Sequence, residues 1–370
     1  MEHRFTGTPF TIGIEEELML VDPESLDLAQ GIEAILADCG EAAAKSVKPE
    51  LLQAVLEIAT EPCETLAEAG SQLAGLRRRV GDAAQRNGMV LGAAGTHPTA
   101  RWEEQLVVDR PRYRELVEQL GWIARQELIF GTHVHVGIVG ADKAIYVADG
   151  LRRHIPLLLA LSCNSPFWSG EQTGMMSART PIFRHFPRAG VPPHYGSWEI
   201  YSSRVDLMVE AGAIEDYTYL WWDVRPHPNL GTVEIRVFDQ QTRLENTVAL
   251  AALAISLAHR YAANFDAEKP LIEVPTELID DNKVRASLRG LAGDLVDFPR
   301  PRQAATADVA RETIEEISSD AEELGCAGEL ADLERLIASG GEARRQVTVF
   351  EEGGTEAVVR DLVERTIPPA

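Results

Sequence analysis

Three short stretches of the chain alternate aliphatic side chains with charged or metal-ligand types at a spacing of two. They are Thr11-Ile12-Gly13-Ile14-Glu15-Glu16-Glu17-Leu18, Gly131-Thr132-His133-Val134-His135-Val136-Gly137 and Gly231-Thr232-Val233-Glu234-Ile235-Arg236-Val237-Phe238-Asp239. In a strand, residues i and i+2 point to the same face. Each stretch therefore predicts a strand with a pair of functional groups on one side and aliphatics on the other. The pairs are Glu15 with Glu17, His133 with His135, and Glu234 with Arg236, and Asp239 ends the third strand. Three such pairs, far apart in sequence, predict one sheet with a polar, metal-binding floor. Glu16 should point to the opposite face from its neighbours.

The rest of the chain surrounds these strands with helical patterns. The segment 10–21 reads as a strand closed by Asp22-Pro23. Helical spacing runs over 32–44. The stretch 50–60 is ambiguous: a helix would put Glu50 and Glu57 on one face, a strand would align Gln53, Val55 and Glu57, and Pro62 suits the end of a strand. A helix is expected over 65–88, where Thr65 precedes an acidic first turn with Glu68, and Arg77, Arg78 and Arg79 follow. A short buried-type strand over 89–94 leads into Gly95-Thr96-His97-Pro98. Helices follow over 112–128, over 142–161 with a break near Pro156, and over 247–265. Between 162 and 198 the chain is rich in Pro, Gly, Ser and aromatics, the composition of a long binding loop. From about 300 it is mostly helical, broken at Gly340-Gly341 and Gly353-Gly354. No repeat or linker divides residues 1–370, so a single α+β domain with a helical C-terminal part is expected.

Composition narrows the partners. The 370 residues carry 45% hydrophobic and 25% charged side chains, ordinary for a globular chain, but a formal net charge of -23. That balance argues against nucleic acid or an anionic membrane as partner, since both need a basic patch. Small molecules are the expected partners, and assembly of several copies is left open. Lysine occurs only at positions 45, 48, 143, 269 and 283, so arginine carries most of the positive charge. Cys39, Cys63, Cys163 and Cys326 are widely spaced, which suits a reducing compartment. Residues 1–5 hold no apolar stretch of the signal-peptide type, and the strongly apolar run 155–161 is too short to span a bilayer. A cytoplasmic location is expected.

The candidate chemistry is that of oxygen and imidazole ligands beside arginines. Glu15 and Glu17 on one strand face suit hard cations, or else the charged face of an edge strand. His133 and His135 form an HxH pair of the kind that holds a divalent ion. Glu234 beside Arg236 is either a same-face ion pair or one ligand for Mg²⁺ and one fork for a phosphate oxygen. Arg225 is a further phosphate or carboxylate clamp. In the loop, Asn164, Ser165 and Arg179 are candidate substrate contacts, and Asn164-Ser165-Pro166-Phe167-Trp168 reads otherwise as a rigid turn. Neither GxxxxGK[ST] nor a post-strand GxGxxG is present, so ATP would have to be held mainly through metal ions.

Taken in order, these segments resemble the carboxylate-amine ligases of the glutamate–cysteine ligase type 2 family. The matching pieces are Gly13-Ile14-Glu15-Glu16-Glu17, Glu57-Ile58-Ala59-Thr60, Gly95-Thr96-His97-Pro98, His133-Val134-His135-Val136-Gly137, Asn164-Ser165-Pro166-Phe167-Trp168, Trp221-Trp222-Asp223-Val224-Arg225-Pro226 and Thr232-Val233-Glu234-Ile235-Arg236. The resemblance implies a glutamine synthetase-like fold, a curved antiparallel sheet forming a funnel with helices on its outer face. It implies ATP-dependent ligation of L-glutamate to L-cysteine through an acyl phosphate. It further implies that Glu15, Glu17, Glu57, His133 and Glu234 hold Mg²⁺ or Mn²⁺, with Glu50 as an additional candidate. By the same resemblance Arg236 acts with Glu234 in catalysis, Arg225, Arg236 and His135 serve the nucleotide, and Arg179 holds phosphate or substrate carboxylate. The match fades after Asp266, although Gly340-Gly341-Glu342-Ala343-Arg344-Arg345-Gln346 resembles a segment that would close over the site. The rival readings are a metal-dependent amide hydrolase using HxH, a family member acting on another amine, and a non-catalytic binding protein.

Overall fold

The computed structural model describes residues 1–40, 43–297 and 302–369. Glu41 and Ala42, within the helix expected over 32–44, and Arg300, near the expected start of the helical C-terminal part, lie outside the described residues.

Seven strands form one antiparallel sheet. They are β1 (Ile12–Val21), β2 (Val47–Pro49), β3 (Val55–Ala59), β4 (Val90–Gly92), β5 (Gly131–Gly137), β6 (Val224–His227) and β7 (Thr232–Asp239). Their order is β6-β7-β5-β1-β3-β2, and β4 pairs with the far end of β1. Of the ambiguous stretch 50–60 the strand takes only Val55–Ala59, ending before Pro62 as the proline requires, while 51–54 form a turn and an isolated bridge.

One face of the sheet is apolar and covered by helices. Ile12, Ile14 and Leu18 of β1, Val134 and Val136 of β5, and Val233 and Ile235 of β7 are all buried there. Behind them lie α1 (Leu66–Arg86), α2 (Ala141–Leu151), α3 (Ile155–Ser162) and α4 (Leu244–Asp266). Thr65 caps α1, its hydroxyl accepting the Glu68 amide at 3.2 Å. Pro156 sits in the first turn of α3, where its missing N–H is not needed, so the expected break falls between two helices. By length and composition α4 is apolar enough to cross a membrane, which the shorter run 155–161 is not. Here it is a core helix, packed against α1, α2 and β5.

Glu16 does turn to the opposite face from Glu15 and Glu17, and it is fully buried there. Arg77 of α1 grips both its oxygens, at 2.7 and 2.6 Å. The same guanidinium donates to the carbonyls of Thr242, Thr366 and Gln241 at 2.7 to 2.9 Å. Thr247 Oγ1 donates to Glu16 at 2.6 Å. A buried ion pair is tolerable only when its remaining donors and acceptors are used in this way.

The described C-terminal residues are mostly helical. Among the described residues, α5 (Thr276–Arg289) is followed by a small hairpin, four α-helices and then α6 (Glu342–Thr366), which is interrupted at Gly354, where φ is 75°. The Gly340–Gln346 segment does not close over the polar face. Ala343 N donates to Cys163 O, and the buried Gln346 amide donates to Asn164, so the segment braces the core.

Candidate active site

The other sheet face gathers the polar residues by register. Glu15 of β1 lies opposite His133 of β5, and Glu17 lies opposite Glu57 of β3. Lys48 of β2 is opposite Glu57, His135 is opposite Glu234 of β7, and Glu234 is opposite Arg225 of β6. Directly opposed residues share a face. Five strands thus deliver Glu15, Glu17, Glu57, His133, His135, Glu234 and Arg225 to one floor. A cavity of about 350 Å³ opens over them, and Arg236 lines it as well. It narrows to a chamber of about 30 Å³ among Glu17, Glu50, Glu127, Arg179 and Arg236.

Glu15, His133 and Glu234 form the one carboxylate–histidine group among the described residues whose ligand atoms lie within 4.8 Å of one another. His133 Nδ1 is 3.2 Å from Glu15 Oε2. His135 Nε2 is 3.7 Å from both Glu15 Oε1 and Glu234 Oε1, and its Nδ1 pairs with Thr232 Oγ1 at 3.1 Å. Glu234 is held by two guanidinia: Arg225 Nε reaches Oε2 at 2.7 Å, and Arg236 Nη1 contacts Oε1. Arg225 is anchored in turn to the carbonyls of Thr218 and Leu220.

The electrostatics divide the floor in two. Burial works to raise Glu15, but the hydrogen bond with His133 and the proximity of both imidazoles hold it well below the usual carboxylate range. Glu234 is likewise held well below that range, Arg225 and Arg236 outweighing burial. Burial, helped by the Arg236 charge, lowers His133 to about 4. At neutral pH this trio is two carboxylates and a neutral imidazole, the states in which such groups bind a cation. His135 is raised despite burial, by the Glu234 and Glu15 carboxylates.

The inner chamber is the reverse. Burial pushes Glu17 up to about 7 against the pull of Arg179, and raises Glu127 to about 8 with the Glu17 charge adding to it. Burial also raises Glu50 and Glu57, followed by the charge of Glu57 on Glu50 and of Glu15 on Glu57. Crowded buried carboxyls hold protons unless a cation offsets them.

Asn164 and Ser165 are not at the cavity, which corrects the expectation that they touch substrate. Both are fully buried. Asn164 N and Ser165 Oγ donate to Asp239 at 2.8 and 2.7 Å, and the Asn164 amide donates to Gln240 O and Thr242 Oγ1. Asp239 is withdrawn too. A register shift between Ile235 and Phe238 ends the simple alternation of β7 before it. These groups tie the 162–198 loop to the end of the sheet. Asn164→Ala is therefore expected to cost about 1–3 kcal/mol of stability, as unpaired buried groups do, and to leave ligand affinity unchanged. Thermal denaturation beside a titration of the cavity with Mg·ATP checks both. His97 is also buried, its Nδ1 accepting the Ala100 amide at 3.0 Å, in keeping with a strand exit.

Several lining residues escape a sequence reading. Glu127 precedes β5 in a stretch without alternation, so nothing in its neighbourhood marks it. Arg112 and Tyr113 line the cavity from a helix, Pro111–Leu120, that has no buried face. Lys48 donates to Glu57 at 2.8 Å, and its scarcity as a residue type was its only signal. His227 was findable, since it follows Arg225 by two on β6.

Comparison with known proteins gives the family and the fold. The model of glutamate-cysteine ligase family 2 matches residues 11–365. A relative from Rubrobacter xylanophilus, provisionally named glutamate–cysteine ligase 2-1, is 43% identical over 369 residues, covering 100% of this chain and 98% of its own. A provisionally named glutamate–cysteine ligase 2 from Solibacter usitatus is 38% identical, covering 96% of this chain and 93% of its own. Among solved structures, the glutamate–cysteine ligase of Francisella tularensis in complex with AMP aligns with a TM-score of 0.74 at 14% identity, over 99% of this chain and 89% of that one. A bifunctional glutathione synthetase from Pasteurella multocida aligns with a TM-score of 0.68 at 14% identity, over 97% of this chain and 52% of that one. The fold is thus the curved-sheet ligase fold, and the chain belongs to glutamate-cysteine ligase family 2, an ATP-dependent ligase by class.

Proposed function

We propose that this ligase activates the γ-carboxylate of L-glutamate with ATP and passes the acyl group to the amine of L-cysteine, releasing γ-glutamylcysteine, ADP and phosphate. The observation that carries this reading is the trio Glu15, His133 and Glu234, poised as ligands beside Arg225 and Arg236. The names of the relatives supply the substrate pair.

The donor set fits Mg²⁺, with Mn²⁺ as an alternative. Glu15, Glu17, Glu57, His133 and Glu234 would hold it, and Glu50 lies within the same cavity. When bound, the ion neutralises phosphate oxygens and lowers the repulsion between two anionic substrates. The Arg236 guanidinium neutralises Glu234 Oε1 and would turn to the transferring phosphoryl group. Arg225 fixes Glu234 from β6 and lends positive charge to the phosphate end of the cavity, and His135 supports the floor between the two carboxylates. Arg179 stands at the inner chamber. The chain would work as one catalytic domain in the cytoplasm, a setting that suits its four buried free cysteines.

Incubation with Mg·ATP, glutamate and a panel of amines that includes cysteine tests the proposal. ADP release dependent on both glutamate and cysteine is the expected result. ADP with a different amine would move the substrate assignment within the family. Amide hydrolysis without ATP, and no ADP from any pair, would sink the ligase reading.

The acidic chamber also sets a pH dependence. A carboxyl whose folded pKa is raised keeps its proton in the folded state where the unfolded chain has lost it, so stability falls as pH rises towards the folded value. With Glu127 at about 8, the metal-free protein should lose stability steadily from about pH 5 to pH 7 through this group, and less steeply as pH approaches 8. Histidines lowered to about 4 act in the opposite sense below their unfolded value of about 6.5 and leave the range above it alone. Thermal melts in chelator should show the fall, Glu127→Gln should reduce it while the raised Glu17, Glu50 and Glu57 keep the remainder, and added Mg²⁺ should stabilise more at pH 8 than at pH 6.

A further inference from the structure

We propose that Arg179 is a positioning residue whose guanidinium plugs a bulge in β7 and so fixes the direction in which Arg236 leaves the strand. The kinetic part of this inference rests on the ligase reading, and the structural part does not.

The bulge follows from the register. Pairing between β7 and β5 runs Glu234 to His135 and Ile235 to Val134, then resumes at Phe238 to Thr132. One residue of β5, His133, therefore faces two of β7, Arg236 and Val237. Such an insertion re-aims a side chain and leaves ladder groups unpaired. It also places Arg236 against His133 in the cavity and returns Phe238 to the core. The Arg236 amide turns the other way, donating to Asp223 O at 2.8 Å.

The two bulge carbonyls lie where the regular ladder is disrupted, and carbonyls withdrawn from water call for donors. Arg179 supplies the donors. Its Nη2 lies 3.3 Å from Arg236 O, and its Nη1 lies 3.5 Å from Val237 O. Space for the guanidinium comes from Gly131, where an added Cβ would stand 2.4 Å from Arg179 Nη2. The backbone around Arg179 is tied to the same end of β7. Its amide donates to Ser165 Oγ at 3.2 Å, and Ser177 Oγ donates to Asp239 Oδ1 at 2.9 Å. Thus the long loop grips β7 just beyond the bulge, at Asp239, and inserts one cation into the bulge itself. The Arg179 Nε keeps no protein partner and lies at the chamber. Direct contact with a ligand anion is therefore the competing account of this arginine.

Hydrogen exchange by mass spectrometry on the ligand-free protein separates the two. In Arg179→Gln, amides of the 234–239 segment should exchange at least about 10-fold faster than in the wild type, because the bulge opens locally. Gly131→Ala keeps the arginine and its charge but takes its space, and should produce the same local change. In ADP-release assays with glutamate and cysteine both variants should lose about 100-fold in kcat, the cost of an ångström-scale misplacement, with KM for ATP and glutamate within about 2-fold of wild type. Unchanged exchange at 234–239 in both variants would overturn the proposal. So would a rise in KM with kcat retained, which marks a direct ligand contact only. If wild type releases no ADP with any pair, the ligase reading fails and the exchange comparison alone decides the role of the plug. Should Arg179→Gln not fold, Arg179→Lys carries the same comparison, since an ammonium keeps the charge but lacks the planar fork whose two nitrogens reach the two carbonyls.

Discussion

Glu234→Gln is expected to lower ATP-dependent turnover by roughly 100- to 1,000-fold, the range seen when one preorganised electrostatic group is removed from an active site. Three interactions converge on this side chain. It completes the candidate ligand trio with Glu15 and His133, it receives Arg236 on one oxygen, and it receives Arg225 on the other. Glutamine keeps the shape but removes the charge, so two buried guanidinia would face each other over a neutral amide. The cation affinity should fall with turnover, because one of two ionised ligands is gone. ADP release and a Mg²⁺ titration, each beside a thermal melt, measure the three effects separately. Glu15→Gln should weaken the cation without disturbing the arginines. A Glu234→Gln protein with full ATP-dependent activity would rule out the site as drawn.

The second large effect lies on the opposite face of the same sheet. Arg77→Met is expected to destabilise the protein by about 3–5 kcal/mol, as removal of one partner of a buried ion pair does. It leaves Glu16 ionised or protonated in the core and strips the donors from the carbonyls of Gln241, Thr242 and Thr366. Glu16→Gln should cost less, because Arg77 retains those three carbonyls. Denaturant unfolding of both variants gives the order. Equal stability of Arg77→Met and wild type would show that the pair contributes nothing. Any active fraction of either variant should bind Mg²⁺ normally, since neither residue reaches the cavity.

The floor of the site was legible because a strand's period of two is a strong local rule. Glu15, Glu17, His133, His135 and Glu234 all follow it, and the sheet places them together. The rule also predicted that Glu16 would turn away, but not that Arg77 would meet it, since a helix offers several arginines and only packing selects one. The alternation broke down where β7 bulges, which is why Asp239 and the Asn164 loop lie behind the cavity. Asn164 and Ser165 have side chains equally suited to a ligand and to a buried carboxylate, and only the fold shows which they meet. Glu127 carried no pattern at all. It acquires its character from the burial and neighbouring charge that tertiary structure imposes.

The order of strands has a consequence for how the protein is made. β1 pairs with β5 and β5 with β7, so the floor is stitched from three segments spread over the first two-thirds of the chain. While the chain grows on the ribosome, β1 must wait for β5, and both must wait for β7 and α4 to cover Val134 and Val136. Until then the aliphatic backs of the strands are open to solvent and to other chains. Contacts of such long sequence separation form slowly. A nascent chain halted before residue 232 would lack catalytic groups and also the cover of its own sheet, making it a substrate for chaperones before it is an enzyme.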